Sequence, residues 1–106
     1  MNLEDIDVEH VFADNDLYAK QVKIPAGTTL EQHKHPYSHI SVVAKGIAWV
    51  TVDGKTFQMT EGTHTVIAAG KIHYVHAQTD VVWYCIHNCP EKDPDKVDNA
   101  ILHAQV

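Results

Sequence analysis

The sequence lacks the features that would direct it to a polyanion, a membrane or an oxidising compartment. Its formal charge is −6 across 106 residues, with no basic stripe able to follow a phosphate backbone, so nucleic acid is not an expected partner. No segment approaches the ~20 apolar residues of a membrane span. The start, MNLEDIDVEHVF, is acidic and has neither the basic n-region nor the apolar h-region of a secretory leader. Cysteine is scarce: Cys85 and Cys89 are the only two, too few for a disulfide framework. An extended chain would hold them roughly 13 Å apart at ~3.3 Å per residue, which suits free thiols in a reducing compartment. There is no internal repeat or low-complexity tract. A cytoplasmic protein is the default expectation, and the length allows one domain with a modest core.

Histidine is what the chain has in excess, nine in all. Three of them, His33, His35 and His39, lie close together in the run GTTLEQHKHPYSHISVVAKG, from Gly27 to Gly46. On an extended chain, positions i, i+2 and i+6 share one face because a strand has a period of two. Imidazole is the commonest metal-ligating side chain, so three on one face read as a candidate metal site. The plain alternative is a surface cluster, or a helix with His35 and His39 at i and i+4. Pro36 weakens the helix by disfavouring the α conformation at His35, and the β-branched Ile40, Val42 and Val43 favour a strand.

Residues 1–16 read as a loosely attached arm or a short edge strand, 17–90 as the folded barrel, and 91–106 as a charged tail in which Pro94 suits the start of a short helix. Leu17 to Ile24 alternates as a strand, and Pro25 to Gly27 turns the chain. Asp53-Gly54 separates two β-prone runs and predicts a hairpin with a type I′ turn. The runs THTVIAA, HYVHAQ and VVWYCIHNC follow as further strands. Short strands broken by turns every eight to twelve residues predict an all-β antiparallel sandwich or barrel.

Two histidine-bearing stretches share a glycine punctuation. The first runs Gly27, x5, His33, x, His35, x3, His39, x6, Gly46; the second runs Gly62, x5, Ala68, x, Gly70, x2, His73, x3, Ala77. This two-part pattern resembles the cupin superfamily, over about 60 residues from Gly27 to Cys85. The resemblance implies a double-stranded β-helix, or jelly-roll barrel, and a divalent metal held by His33, His35, His39 and His73. Three positions depart from the family pattern. Ala68 stands where Pro is usual and loosens a turn, and Ala77 stands where Asn is usual and makes the pocket more apolar. His39 stands where most members have Glu, so the site becomes four neutral imidazoles and the metal keeps its full +2 charge. Such a site favours Mn or Fe, with Ni, Cu and Zn as alternatives.

No comparable framework places His64, His76 or His87. By strand parity His76 points away from the His73 face, while His87 shares parity with Trp83 and Cys85, which allows it to line the barrel mouth, with a surface position the expected one. His10 and His103, in the flanking segments, are expected to be solvated. Tyr37, Trp83 and Cys85 are candidates to shape the pocket, Cys85 being read equally as an inert buried thiol. Parity also puts Ala48, Val50 and Val52 inward and leaves Ile47, Trp49, Ile40 and Val42 outward, which suggests a homodimer interface.

The expected function is that of a metal-dependent oxidoreductase of dioxygenase type acting on a small organic molecule. The alternatives are a non-catalytic metal- or ligand-binding cupin, serving as sensor or accessory protein, and a sugar isomerase or epimerase. The last wants an acid/base residue, for which His64 and His87 are the spare candidates.

Overall fold

The computed structural model describes residues 6–32 and 38–89. Among them the chain forms nine strands: β1 (Asp7–Phe12), β2 (Leu17–Ile24), β3 (Thr29–Gln32), β4 (His39–Lys45), β5 (Ile47–Val52), β6 (Lys55–Thr60), β7 (His64–Ile67), β8 (His73–Ala77) and β9 (Val81–Asn88). They make two antiparallel sheets, a five-stranded one ordered β1-β2-β9-β4-β7 and a four-stranded one ordered β3-β8-β5-β6. The expected all-β jelly roll is the observed fold. The first strand takes the edge position, paired with β2 from Asp7↔Lys23 to Phe12↔Tyr18. The tail from residue 91, with its expected short helix, lies outside the described residues.

Alternation decides the core. On β5, Ala48 and Val50 are fully buried while Trp49 between them is exposed. On β8, His73, Val75 and Ala77 are buried, and Tyr74 and His76 point out. On β9, Val81, Trp83 and Cys85 face inward. These faces meet Val22, Ile24 and Val43 from the other strands in one apolar cluster between the sheets. The β5–β6 hairpin turns through Asp53 (φ 53°) and Gly54 (φ 79°), the two left-handed residues that a type I′ turn requires. Asn15 (φ 60°) and Asp16 (φ 62°) perform the same service between β1 and β2, since their short polar side chains tolerate that conformation.

Two expectations change. The run from Gly27 to Gly46 is not one strand: β3 belongs to the four-stranded sheet and β4 to the five-stranded sheet. His33 and His35 fall between these two strands, outside the described residues, and β4 begins at His39. The second change concerns the expected partner surface. Ile40 and Val42 lie on one sheet, and Ile47 and Trp49 on the other, so they form two outer faces and not one patch.

Candidate metal centre

Two of the four expected ligands fall among the described residues, and the fold brings them together. His39 opens β4 and His73 opens β8, on opposite sheets, with 4% and 0% of their surfaces exposed. Their ring centroids are 5.4 Å apart at an interplanar angle of 41°. Position explains the meeting: both strands begin at the same end of the barrel, and the inward parity that buries Val43 and Val75 also turns these imidazoles inward. Buried polar groups need partners. Two imidazoles converging from facing sheets form a donor set that suits a first-row divalent transition metal. His33, His35 and Tyr37 lie outside the described residues. Among the described residues no three histidine, cysteine or carboxylate side chains group as a metal site.

His73, the residue of the second motif expected as a ligand, is buried on the inward face of β8, and Trp83 and Cys85 are inward as their parity predicts. Trp83 is fully buried in the main core, where its Nε1–H donates to Cys85 Sγ at 3.2 Å, and Ser41 Oγ lies 4.0 Å from the same sulfur. Both cysteines are buried thiols outside any disulfide. His64 is exposed on the outer side of β7, and His76 is exposed with its Nδ1 2.7 Å from Thr29 Oγ1.

His87 and His10 depart from expectation. His87 is not a surface residue but half-buried, packed against the ring of Tyr18 at 5.0 Å, and Tyr18 itself is fully buried. His10 is likewise half-buried, with Nδ1 2.7 Å from the Tyr18 hydroxyl. The cause is the register Phe12↔Tyr18↔His87, which places the inward face of β1 over this end of the barrel. Parity alone puts His87 on the inward face; the sequence does not show that Tyr18 covers it.

Burial pushes the His87 imidazole below its usual pKa; the Asn88 carbonyl opposes this and the Lys20 ammonium adds to it. The ring is therefore neutral at pH 7. Its Nδ1 lies 2.8 Å from Asn88 O, and because a carbonyl only accepts, Nδ1 carries the proton and Nε2 keeps its lone pair. The register pair Ile40↔Ile86, extended by one step, sets His87 beside His39 on the same face. The site thus has an acid/base candidate that the motifs do not mark.

A two-sheet barrel with His39 and His73 turned inward at one end and the Gly27, Gly46 and Gly62 turns at the other defines the class, and the family match agrees with it. The family model described as a cupin domain matches residues 20–87, so the chain belongs to the cupin family. No curated protein matches the sequence. Among solved structures, KdgF from Halomonas sp. is 21% identical with a TM-score of 0.73, covering 88% of this chain and 86% of that one. A variant of salicylate 1,2-dioxygenase from Pseudoaminobacter salicylatoxidans is 15% identical with a TM-score of 0.75, over 81% of this chain but 27% of that longer one. The cupin domain of an XRE family transcriptional regulator from Enterobacter cloacae is 16% identical with a TM-score of 0.69, covering 81% and 98%. At these identities the likeness is one of fold. Among the described residues no helix is long and apolar enough to cross a membrane.

Proposed function

We propose that this cupin binds a divalent transition metal, Mn or Fe in preference to Ni, Cu or Zn, through His39 and His73 together with His33 and His35. On this reading it is a metal-dependent oxidoreductase of dioxygenase type acting on a small organic molecule in the reducing cytoplasm. The observation that carries the proposal is the convergence of two buried imidazoles from facing sheets at 5.4 Å. When bound, the metal supplies Lewis acidity and, as Mn or Fe, redox capacity. The chain's own residues do the rest. Trp83 and Tyr18, both fully buried, pack the interior, and His87, whose Nδ1–H donates to Asn88 O, stands beside His39 as the acid/base candidate. The test is metal analysis of protein purified without chelator or affinity resin, followed by oxygen uptake against diketones, phenols and thiols. The expected result is about one Mn or Fe per chain, with uptake for at least one class. Metal-free protein, or metal-loaded protein inert to every class, overturns the enzyme.

A second reading, favoured by the likeness to the transcriptional regulator's domain, is a non-catalytic ligand-binding cupin. The isomerase reading keeps only His87, since His64 is exposed.

The homodimer is retained as part of the proposal and assigned to the outer face of the five-stranded sheet. There the cross-strand partners Val11, Ala19, Ile86, Ile40 and Val66 form an apolar row without a charge across all five strands. Exposures of 45% at Ile40 and 64% at Val66 leave area for a second copy to cover. Sedimentation at micromolar concentration is expected to give twice the 11.9 kDa monomer mass, and Val66→Lys the monomer; a wild-type monomer refutes the interface.

A further inference from the structure

Two large aromatic rings stand on the outer face of the four-stranded sheet. Trp49 lies between the fully buried Ala48 and Val50 of β5, and Tyr74 between the fully buried His73 and Val75 of β8, so strand parity turns both to solvent, at 40% and 41% exposure. The register pairs Trp49↔His76 and Thr51↔Tyr74 make the two residues diagonal neighbours on adjacent strands, about 7–8 Å apart. Gln78 steadies the indole, its Oε1 accepting from Trp49 Nε1 at 2.7 Å. Beside Tyr74 lies a cleft of about 350 Å³, lined by Thr51, Ile72 and Tyr74 and bordered by the Lys71–Asp53 ion pair at 3.1 Å. That volume falls within the roughly 300–1,000 Å³ of small-molecule pockets. The cleft forms where two turns meet, one through Asp53 and Gly54 and the other through Gly70, all three at positive φ.

The groups around the rings are polar and carry little charge. One outward row across the sheet reads Thr29, His76, Trp49 and Gln58; the next reads Glu31, Tyr74, Thr51 and Thr56. Neither row holds a lysine, and Glu31 is the one acid. Their side chains are already oriented by one another: His76 Nδ1 lies 2.7 Å from Thr29 Oγ1, and Thr51 Oγ1 lies 2.8 Å from Thr56 Oγ1. Hydrogen-bonding capacity is left over, since Gln78 keeps its amide NH2 and Asp53 keeps Oδ1. This pattern selects among occupants. A second copy of the chain would bury hydroxyls and amides together with the rings, whereas interface cores are apolar, and the apolar row of this protein lies on the other sheet. Single-stranded nucleic acid also stacks on aromatic rings, but it needs a cationic groove, and Lys71 is already paired. A neutral saccharide meets both demands: the C–H face of a pyranose packs on an aromatic ring, and its hydroxyls donate and accept.

We infer that the outer face of the four-stranded sheet binds a neutral, β-1,4-linked gluco-oligosaccharide, with sugar rings against Trp49 and Tyr74 and one end of the chain in the cleft. Gluco-configured rings suit the aromatic pair because equatorial hydroxyls leave both ring faces apolar. A β-1,4 chain is extended and ribbon-like, as the sheet face is, whereas an α-1,4 chain coils away from it. At the cleft the Lys71–Asp53 pair sets a donor 3.1 Å from an acceptor, an arrangement that two vicinal hydroxyls of one ring can bridge. The net charge of −6 and the carboxylates of Glu31 and Asp53 disfavour an acidic sugar. This is a binding site with no chemical step. It stands apart from the metal reading, because the residues it uses point outward or lie in turns while His73 points inward.

The experiment titrates cellohexaose and maltohexaose into wild-type, Trp49→Ala and Tyr74→Ala protein by calorimetry, and follows the tryptophan Nε1–H signals of ¹⁵N-labelled wild type by NMR. Cellohexaose is expected to bind the wild type with a Kd of about 1 mM or tighter, and each variant about tenfold more weakly. Maltohexaose should bind the wild type more weakly than cellohexaose. In the spectrum the Trp49 signal should move with cellohexaose while that of the buried Trp83 stays. A wild type that does not bind cellohexaose, or that binds maltohexaose as well or better, overturns the inference. So does cellohexaose affinity unchanged in both variants, or a Trp83 shift without a Trp49 shift, either of which places the sugar elsewhere. A wild-type dimer that Trp49→Ala turns into a monomer would give this face to a second copy and overturn it too. If the variants do not fold, the wild-type spectrum decides: movement of the Trp49 signal alone supports the site, and its absence overturns it.

Discussion

Replacing His73 with alanine is expected to yield a folded protein that retains no divalent metal and no longer gains thermal stability when metal is added. His73 has no exposed surface and meets His39 across the two sheets, so no solvent-side group can take its place. Ligand binding to the native state alone stabilises by about 2.7 kcal/mol at a hundredfold excess over Kd. For a domain of this size that corresponds to roughly 10 to 20 °C in Tm. Wild-type protein should show a rise of that order on adding Mn, and His73→Ala should show none. The variant also leaves a cavity, and large-to-small core changes cost about 2–5 kcal/mol, so its own Tm should lie below that of metal-free wild type. His76→Ala is the matched control. It removes an exposed imidazole three residues along the same strand and should leave both metal content and the Mn response intact. A metal-to-protein ratio in His73→Ala equal to that of the wild type would remove this residue from the site.

How much of this is legible in the sequence follows from which interactions are local. Alternation is local, so the inward faces of β5, β8 and β9 are readable from Ala48 to Val52, His73 to Ala77 and Val81 to Cys85. The Asp53-Gly54 turn is local too, and both residues adopt the positive φ that their types favour. Pairing between distant strands is not local. Nothing near His87 says that β2 will lay Tyr18 over it, and although residues 1–16 read as an arm or a short edge strand, nothing near His10 says that the pairing will bring its Nδ1 to the Tyr18 hydroxyl. The division of Gly27 to Gly46 between two sheets is hidden because a strand pattern on either side of Pro36 does not reveal that the chain changes sheet. The glycine framework of the family resemblance does find the fold and His39 with His73. It can do so because those glycines encode the crossings between sheets.

Gly46 shows what such a crossing demands, and Gly46→Ala is expected to be the most damaging of the glycine-to-alanine changes. Gly46 joins β4 to β5, where the chain leaves the five-stranded sheet for the four-stranded one. Its φ is 93°, and a Cβ there would lie 2.1 Å from the Asp80 carbonyl oxygen and 2.7 Å from Thr79 Oγ1. Neither neighbour can give way cheaply. Thr79 Oγ1 accepts from Ile47 N at 3.0 Å, Gln78 N donates to Ile47 O at 2.9 Å, and Asp80 Oδ1 accepts from Ala26 N at 2.9 Å. Three inter-sheet crossings, those joining β2 to β3, β4 to β5 and β8 to β9, are thus tied together at the end of the barrel away from His39 and His73. Strained backbone costs about 1–3 kcal/mol and overpacking about 1–3 kcal/mol more, so the loss should be about 2–6 kcal/mol, a large part of the roughly 5–15 kcal/mol that holds a typical domain folded. Gly54→Ala separates conformation from contact: its φ is 79°, yet an added Cβ meets nothing within 4 Å, so only the backbone term applies, about 1 kcal/mol or a little more. Urea midpoints of the two variants decide the matter, and equal losses would mean that the crowding at Asp80 relaxes without cost. Because the crossing is remote from the histidines, the Gly46→Ala molecules that do fold should still bind metal in the wild-type ratio. The glycine would then belong to the scaffold that sets the distance between the sheets, and the histidines at the other end would depend on it only through that distance.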